Sequence, residues 1–181
     1  MKSKVTGGKE HLRPGDKVSS SGPRAEFHSP ASLLDVKRIL VPVDFSPTSL
    51  RTLRSVVPFA RRFGATVFLI HVVERADLAP SLNAAHAAQE ALAIRLAKEH
   101  LAAVLQAELG SRPRAESHVL VGRPFLEIIA FARLHDIDLI VIGPYGESHL
   151  GQAILGSTVD KVIRHAPCPV LALHEREPGF I

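Results

Sequence analysis

The apolar run Leu139-Ile140-Val141-Ile142 breaks off at Gly143-Pro144-Tyr145-Gly146, and after nine further residues Gly156-Ser157-Thr158 heads a helical pattern. Gly143, directly after a strand, permits close approach to the backbone, and Gly146 can turn with positive φ. A helix that begins at Gly156 has first amides with no internal acceptor. Such open donors, with the positive end of the helix dipole and two hydroxyls beside them, suit a phosphate group. Hydrogen bonds to charged groups contribute about 1.5–3 kcal/mol each, so three or four support roughly micromolar binding with no lysine in the loop. The same glycines also read as plain turn residues. A second chemical group, Asp44, ends the run Arg38–Val43 and can accept from a ligand or cap the helix that follows.

Other chemistries find little support. The dinucleotide fingerprint G-x-G-x-x-G is missing after the first apolar run, where "PVDFSP" stands, and no G-x-x-x-x-G-K-(S/T) occurs. Ten histidines form no H-x-x-x-H, and the single Cys168 is not placed as a zinc ligand, so no metal site is assigned. Cys168 reads as core filler, and His71 as a satisfied core or sheet-end histidine. Arg123, at a strand's carboxyl end, reads as a solvated loop arginine or as a contact for an anion. No Ser/His/Asp or Cys/His set can be assigned as catalytic.

Composition narrows the partners. Residues 1–35 hold six Lys/Arg and four Asp/Glu, so the remaining chain carries sixteen against fourteen, and only 5% of residues are aromatic. Without clustered cations or stacking platforms, nucleic acid is not an expected partner. No run approaches the roughly 18 apolar residues of a membrane helix, and the N-terminal segment lacks the apolar stretch of a secretory signal. The lone cysteine excludes an intrachain disulfide and fits a reducing, cytoplasmic setting. Residues 1–35 read as a disordered extension, 36–176 as one domain and 177–181 as a short tail.

The elements that must position the glycine loop follow from periodicity. The run Arg38–Val43 is apolar without alternation, as in a strand buried on both faces, and Thr66–Val73, Glu116–Val121, Leu139–Ile142 and Pro169–Leu173 read as four further strands, the last an edge strand. Helical patterns separate them. One begins at the Ser46-Pro47 cap, presents Leu50, Leu53, Val57 and Ala60, and stops at Gly64. An Ala-rich one spans roughly 82 to 109, with Ile94, Leu101 and Leu105 on a stripe and Gly110 as its stop. A third begins at Pro124 and carries Ile128, Ala132 and Leu134-His135, and the last covers Ser157 to His165. This alternation predicts an α/β fold, a five-stranded parallel sheet of order 3-2-1-4-5 with helices on both faces. The order reverses between the first and fourth strands, and ligands bind at such a reversal. Asp44 and Gly143 end those two strands.

Gly143-x-x-Gly146, nine residues, then Gly156-Ser157 resembles the G-2x-G-9x-G-(S/T) pattern of the ATP-binding branch of the universal stress proteins. The resemblance extends through "RILVPVDFSPTSLRTL", "VFLIHVV", "VGRPFLEII", "DLIVIGPYG" and "HAPCPVLAL", and so covers Lys37–Leu173. It implies a Rossmann-like domain of the adenine nucleotide alpha hydrolase type that binds ATP, with or without Mg²⁺. It also implies a cytoplasmic homodimer joined through the fifth strand, with a nucleotide-dependent regulatory role in the stress response. By the same resemblance Asp44 contacts ribose, Val43 and the backbone near Val72 border the adenine, and Gly143, Gly146, Gly156, Ser157 and Thr158 cradle ribose and phosphates. The chain departs from the family at Pro144 and Tyr145, where a small hydroxyl residue and His or Arg are usual, and Glu147 adds a negative charge. With no dedicated general base or water-positioning residue, hydrolysis is expected to be slow or absent. The alternative is a dimeric interaction module of the same fold that binds no nucleotide.

Overall fold

A computed structural model describes residues 35–75, 84–110, 113–144 and 156–173. Five strands, β1 (Arg38–Pro42), β2 (Thr66–Glu74), β3 (Ala115–Gly122), β4 (Leu139–Ile142) and β5 (Val170–Ala172), form one parallel sheet of order β3-β2-β1-β4-β5. Between them run α1 (Pro47–Phe63), α2 (Ala84–Glu108), α3 (Pro124–Leu134) and α4 (Ser157–His165). The expected fold class and strand order are therefore observed. The extension expected over residues 1–35 lies outside the described residues except for Asp35, and so do the tail over 177–181, Tyr145, Gly146 and Glu147.

Strand side chains alternate between two cores. Ile39, Val41, Val67, Leu69, Leu139 and Val141 pack against Leu53, Val57 and Ala60 of α1 and Leu101 and Val104 of α2. Leu40, Phe68, Ile70, Ile140 and Ile142 face Ile128, Phe131 and Ala132 of α3 and Val159 and Val162 of α4. Because β1 and β4 are covered on both sides, their sequences are apolar without alternation.

The caps behave as their residue types demand. Ser46 is the N-cap of α1 and its hydroxyl accepts from the Ser49 amide at 3.2 Å, with Pro47 next in the first helical turn. Gly64 ends the helix in the left-handed region at φ 64°. Leu134, named above with Ile128 and Ala132 among the residues of this helix, is 79% exposed. It lies six residues from Ile128, about 240° round the helix, while Phe131 and Ala132 take the inward positions.

At the amino edge of the sheet, Asp138 Oδ2 accepts from the amides of Lys37 and Arg38, each at 2.8 Å, and the Asp138 amide returns a 3.0 Å bond to the Arg38 carbonyl. This clasp fixes β1 beside β4, with Ile39 opposite Leu139 and Leu40 opposite Ile140. Asp44 and Gly143 consequently end adjacent strands, roughly 4.8 Å apart in the sheet direction.

Candidate functional site

Asp44 leaves β1 half-buried and turns at once into a hydrogen-bonded network. Its Oδ1 accepts from the Ser46 amide at 3.0 Å and from the Ser46 hydroxyl at 2.5 Å. The Asp44 amide donates to the Ser49 hydroxyl at 3.4 Å, and that hydroxyl donates to the Ser46 carbonyl at 3.0 Å. Ser46, not Asp44, is thus the residue that caps α1, and Asp44 braces it. Burial pushes the Asp44 carboxyl up, but the hydrogen bonds from Ser46 and Ser49 outweigh this and hold it below the usual aspartate range. It is a carboxylate at neutral pH. Among the described residues no hydrogen bond reaches its Oδ2.

Phe45, between the carboxylate and the cap, has φ 64°, a conformation unusual for a bulky residue. Its ring lies between two imidazoles, with centroids 4.3 Å from His71 and 4.1 Å from His100. Val43, buried, donates its amide to the Ile70 carbonyl at 2.8 Å, and its carbonyl accepts from Nδ1 of His71 at 2.9 Å. The carbonyl can only accept, so Nδ1 carries the proton. His71 is therefore satisfied at the sheet end, as its sequence position predicts. Val72, its neighbour on β2, is half-buried.

Across the crevice, Gly143 is buried beneath α1. A Cβ there would stand 3.2 Å from Thr52 Oγ1 and 3.5 Å from Thr48 Cγ2, so the glycine lets the helix close onto the end of β4. The Gly156 amide donates to the Pro144 carbonyl at 3.0 Å. That bond draws the two ends of the intervening loop together and sets the start of α4 beside the end of β4. It also uses the Gly156 amide, which the sequence reading left free, and Gly156 itself is extended at φ −60° and ψ 149°. Among the described residues no side chain caps α4, and the Asp160 amide donates to the Gly156 carbonyl at 3.0 Å. The open donors at this end are the amides of exposed Ser157, half-buried Thr158 and Val159. Asp160 adds a negative charge in this first turn, held at 3.0 Å by Arg164, which lowers its pKa.

Two cationic and thiol candidates stay apart. Arg123 is exposed at the N-cap of α3 and makes no side-chain cap bond. Burial and the charge of Asp138 push the Cys168 thiol up to about 11, so it is protonated and unreactive at neutral pH. Among the described residues, no group of three or more His, Cys, Asp or Glu side chains is placed to hold a metal, and no helix is long and apolar enough to cross a membrane.

The profile of the universal stress protein family matches residues 35–174. The chain belongs to that family. A universal stress protein of Methanocaldococcus jannaschii is 34% identical over 143 residues, covering 76% of this chain and 81% of the relative. Among solved structures, the universal stress protein UspA of Lactobacillus plantarum is similar at TM-score 0.67 and 26% identity, covering 77% of this chain and 98% of its own. The universal stress protein of Archaeoglobus fulgidus, solved in complex with dAMP, is similar at TM-score 0.55 and 27% identity, covering 76% and 98%. In this universal stress protein the sequence reading missed Ser46 and Ser49 as partners of Asp44, and the stack around Phe45. Only Ser46, a strong N-cap type two residues past an aspartate, gave a local signal.

Because the folded-state pKa of Asp44 is lowered, its stabilising contribution is present above the unfolded value of about 3.9 and is lost as pH falls through the lower folded value. Ser46→Ala should therefore cost about 0.5–2 kcal/mol at neutral pH. The gap between wild type and variant should narrow at an acidic pH low enough to protonate Asp44 in the folded state. Urea unfolding at the two pH values reads this, and an unchanged gap would show that Asp44 does not act through Ser46.

Proposed function

We propose that this chain binds an adenine nucleotide in the crevice between the ends of β1 and β4, as a member of the ATP-binding branch of its family, and that occupancy regulates its role in the stress response. The observation that carries the reading is the bond from the Gly156 amide to the Pro144 carbonyl, which sets an uncapped helix start at the strand-order reversal. Open amides at Ser157, Thr158 and Val159, with the helix dipole, match a phosphate, and the ionised Asp44 matches ribose hydroxyls. Binding of dAMP by the Archaeoglobus fulgidus relative supports the same ligand class here. Val43 and the Val72 backbone would border the base, Gly146 and Gly156 would leave room for the sugar and phosphates, and the Gly143 backbone would stand beside them. Among the described residues nothing beside this cradle supplies a general base, so the protein would hold ATP, with or without Mg²⁺, and hydrolyse it slowly or not at all.

A second reading, an interaction module without nucleotide, draws on the same stretch. Pro144 has no amide to give and the Gly156 amide is already used, so two donors are lost to a phosphate. Each lost donor to a charged oxygen weakens binding by about 10- to 100-fold. Calorimetric titration with AMP, ADP and ATP, with and without Mg²⁺, separates the two. Dissociation constants from roughly 1 to 100 μM are expected, and Gly156→Val should weaken them at least tenfold by placing a branched side chain in the buried approach. Absence of heat at millimolar nucleotide would establish the interaction module instead.

We further propose a cytoplasmic homodimer joined through β5, with residues 36–176 as the domain and the flanking segments outside it. β5 is an edge of the sheet and Leu171 on it is 44% exposed, a pairing surface that a second copy would cover. Light scattering at micromolar concentration should give a dimer, and Leu171→Lys should give monomers. A monomeric wild type would refute this assembly.

A further inference from the structure

The outer face of α1 carries a charge pattern that neither the sheet nor the crevice uses. Residues 45–73 hold four arginines, Arg51, Arg54, Arg61 and Arg62, and no Asp or Glu. At about 100° per residue, Arg54 and Arg61 fall roughly 60–80° to one side of Arg51, and Arg62 about 20° to the other. All four are exposed, while Leu53, Val56, Val57 and Ala60 are buried on the opposite side of the helix. Along the axis the arginines form two tiers, Arg51 with Arg54 and Arg61 with Arg62, roughly 10–16 Å apart. The exposed residues between the tiers are Ser55 and Pro58, and the Ser55 hydroxyl lies down on the helix, donating to the Arg51 carbonyl at 3.1 Å. The face is a shallow saddle with cations at each end.

Helix stability does not call for this pattern. Other helices of the protein answer their arginines internally, Arg95 with Glu99 on α2 and Arg164 with Asp160 on α4, each pair four residues apart. Within α1 there is no carboxylate to do so, and Arg51 and Arg54, three residues apart, repel each other. The helix dipole favours cations in the last turn, which suits Arg61 and Arg62 but not the tier before them. One carboxylate reaches the face from outside the helix. Glu108 of α2 takes Arg54 in a two-pronged pair at 2.8 and 2.7 Å, the geometry in which a guanidinium holds a carboxylate best.

We propose that the arginine face of α1 is a docking surface for a short acidic segment of a partner protein. Guanidinium groups donate in pairs to carboxylates, and the two tiers match carboxylates about three to five residues apart in an extended chain. The face is bounded on both flanks. Glu108 closes one, and the half-buried Phe59 and Phe63, with ring centroids 4.5 Å apart, close the other. Nucleic acid draws its affinity from many phosphate contacts along a continuous cationic track, whereas this track ends after about 16 Å. A second copy of the chain offers no matching segment, because no two Asp or Glu residues are adjacent anywhere in it. The docking role is independent of what fills the crevice.

A fluorescent octaglutamate peptide, titrated against the full chain by anisotropy at low salt, tests the proposal. A dissociation constant of about 10–100 μM is expected, weakening at least tenfold at about 200 mM salt as the exposed charges are screened. The double variant Arg51→Gln with Arg62→Gln, both exposed on the helix surface, should lose about tenfold or more in affinity. Arg114→Gln with Arg133→Gln removes the same charge from exposed positions on β3's approach and α3, and should leave the affinity unchanged. In NMR spectra of the wild type, the peptide should shift amides between Arg51 and Arg62 most. Equal losses in the two double variants would mean that the peptide senses net charge alone, and would overturn the proposal. Absence of binding at millimolar peptide would overturn it as well. An oligothymidylate of equal charge, or phosphatidylserine vesicles, bound more tightly than the peptide and released by Arg51→Gln with Arg62→Gln, would overturn the acidic protein segment in favour of a phosphate-bearing partner.

Discussion

The carboxyl edge of this sheet is governed by the pairing of β1 with β4. These strands lie about 100 residues apart in sequence, and the Asp138 clasp on the amides of Lys37 and Arg38 sets their register from the opposite end. The helix after β1 packs on one face and the helix after β4 on the other. The chain therefore diverges above and below the sheet at this one place, and a crevice is left that neither connection fills. Every group assigned a role at the site, from Asp44 to Thr158, takes its position from that divergence.

The two walls are built by different means. On the β4 side, Gly143 gives α1 room to close and the Gly156–Pro144 bond fastens the helix start, so the wall is backbone held by backbone. On the β1 side the wall depends on side chains. A left-handed Phe45 costs on the order of 1–2 kcal/mol, offset by the two flanking imidazoles and by the Asp44–Ser46–Ser49 network beneath. Strain at the residue next to a free carboxylate oxygen is stable only because three elements, β2, α1 and α2, converge on it.

Much of the architecture was legible in the sequence because its signals are local. Runs such as Leu139–Ile142 are apolar on both faces of a strand, Ser46-Pro47 is a helix start by residue type, and Gly64 a stop. The glycine spacing likewise placed α4 at the end of β4. What escaped was decided by partners distant in sequence. The end of β1 falls at Pro42 rather than Val43 because His71, 28 residues on, takes the Val43 carbonyl. Gly143 reads as room for a ligand, whereas the nearest atoms to its missing Cβ belong to α1. Gly156 reads as an open donor but gives its amide to Pro144, which shifts the open set to Ser157, Thr158 and Val159. No residue-type preference signals a phenylalanine in the left-handed region, and none predicts two histidines stacked on it.

The central claim is that the uncapped start of α4 is an anion site facing the Asp44 carboxylate across the β1–β4 crevice. A crystal structure of the protein grown with AMP tests it most directly. The account predicts phosphate oxygens about 2.7–3.2 Å from the amides of Ser157, Thr158 or Val159, with a ribose hydroxyl on Asp44. A phosphate bound elsewhere, or that helix start left bare while nucleotide saturates the crystal, would contradict it.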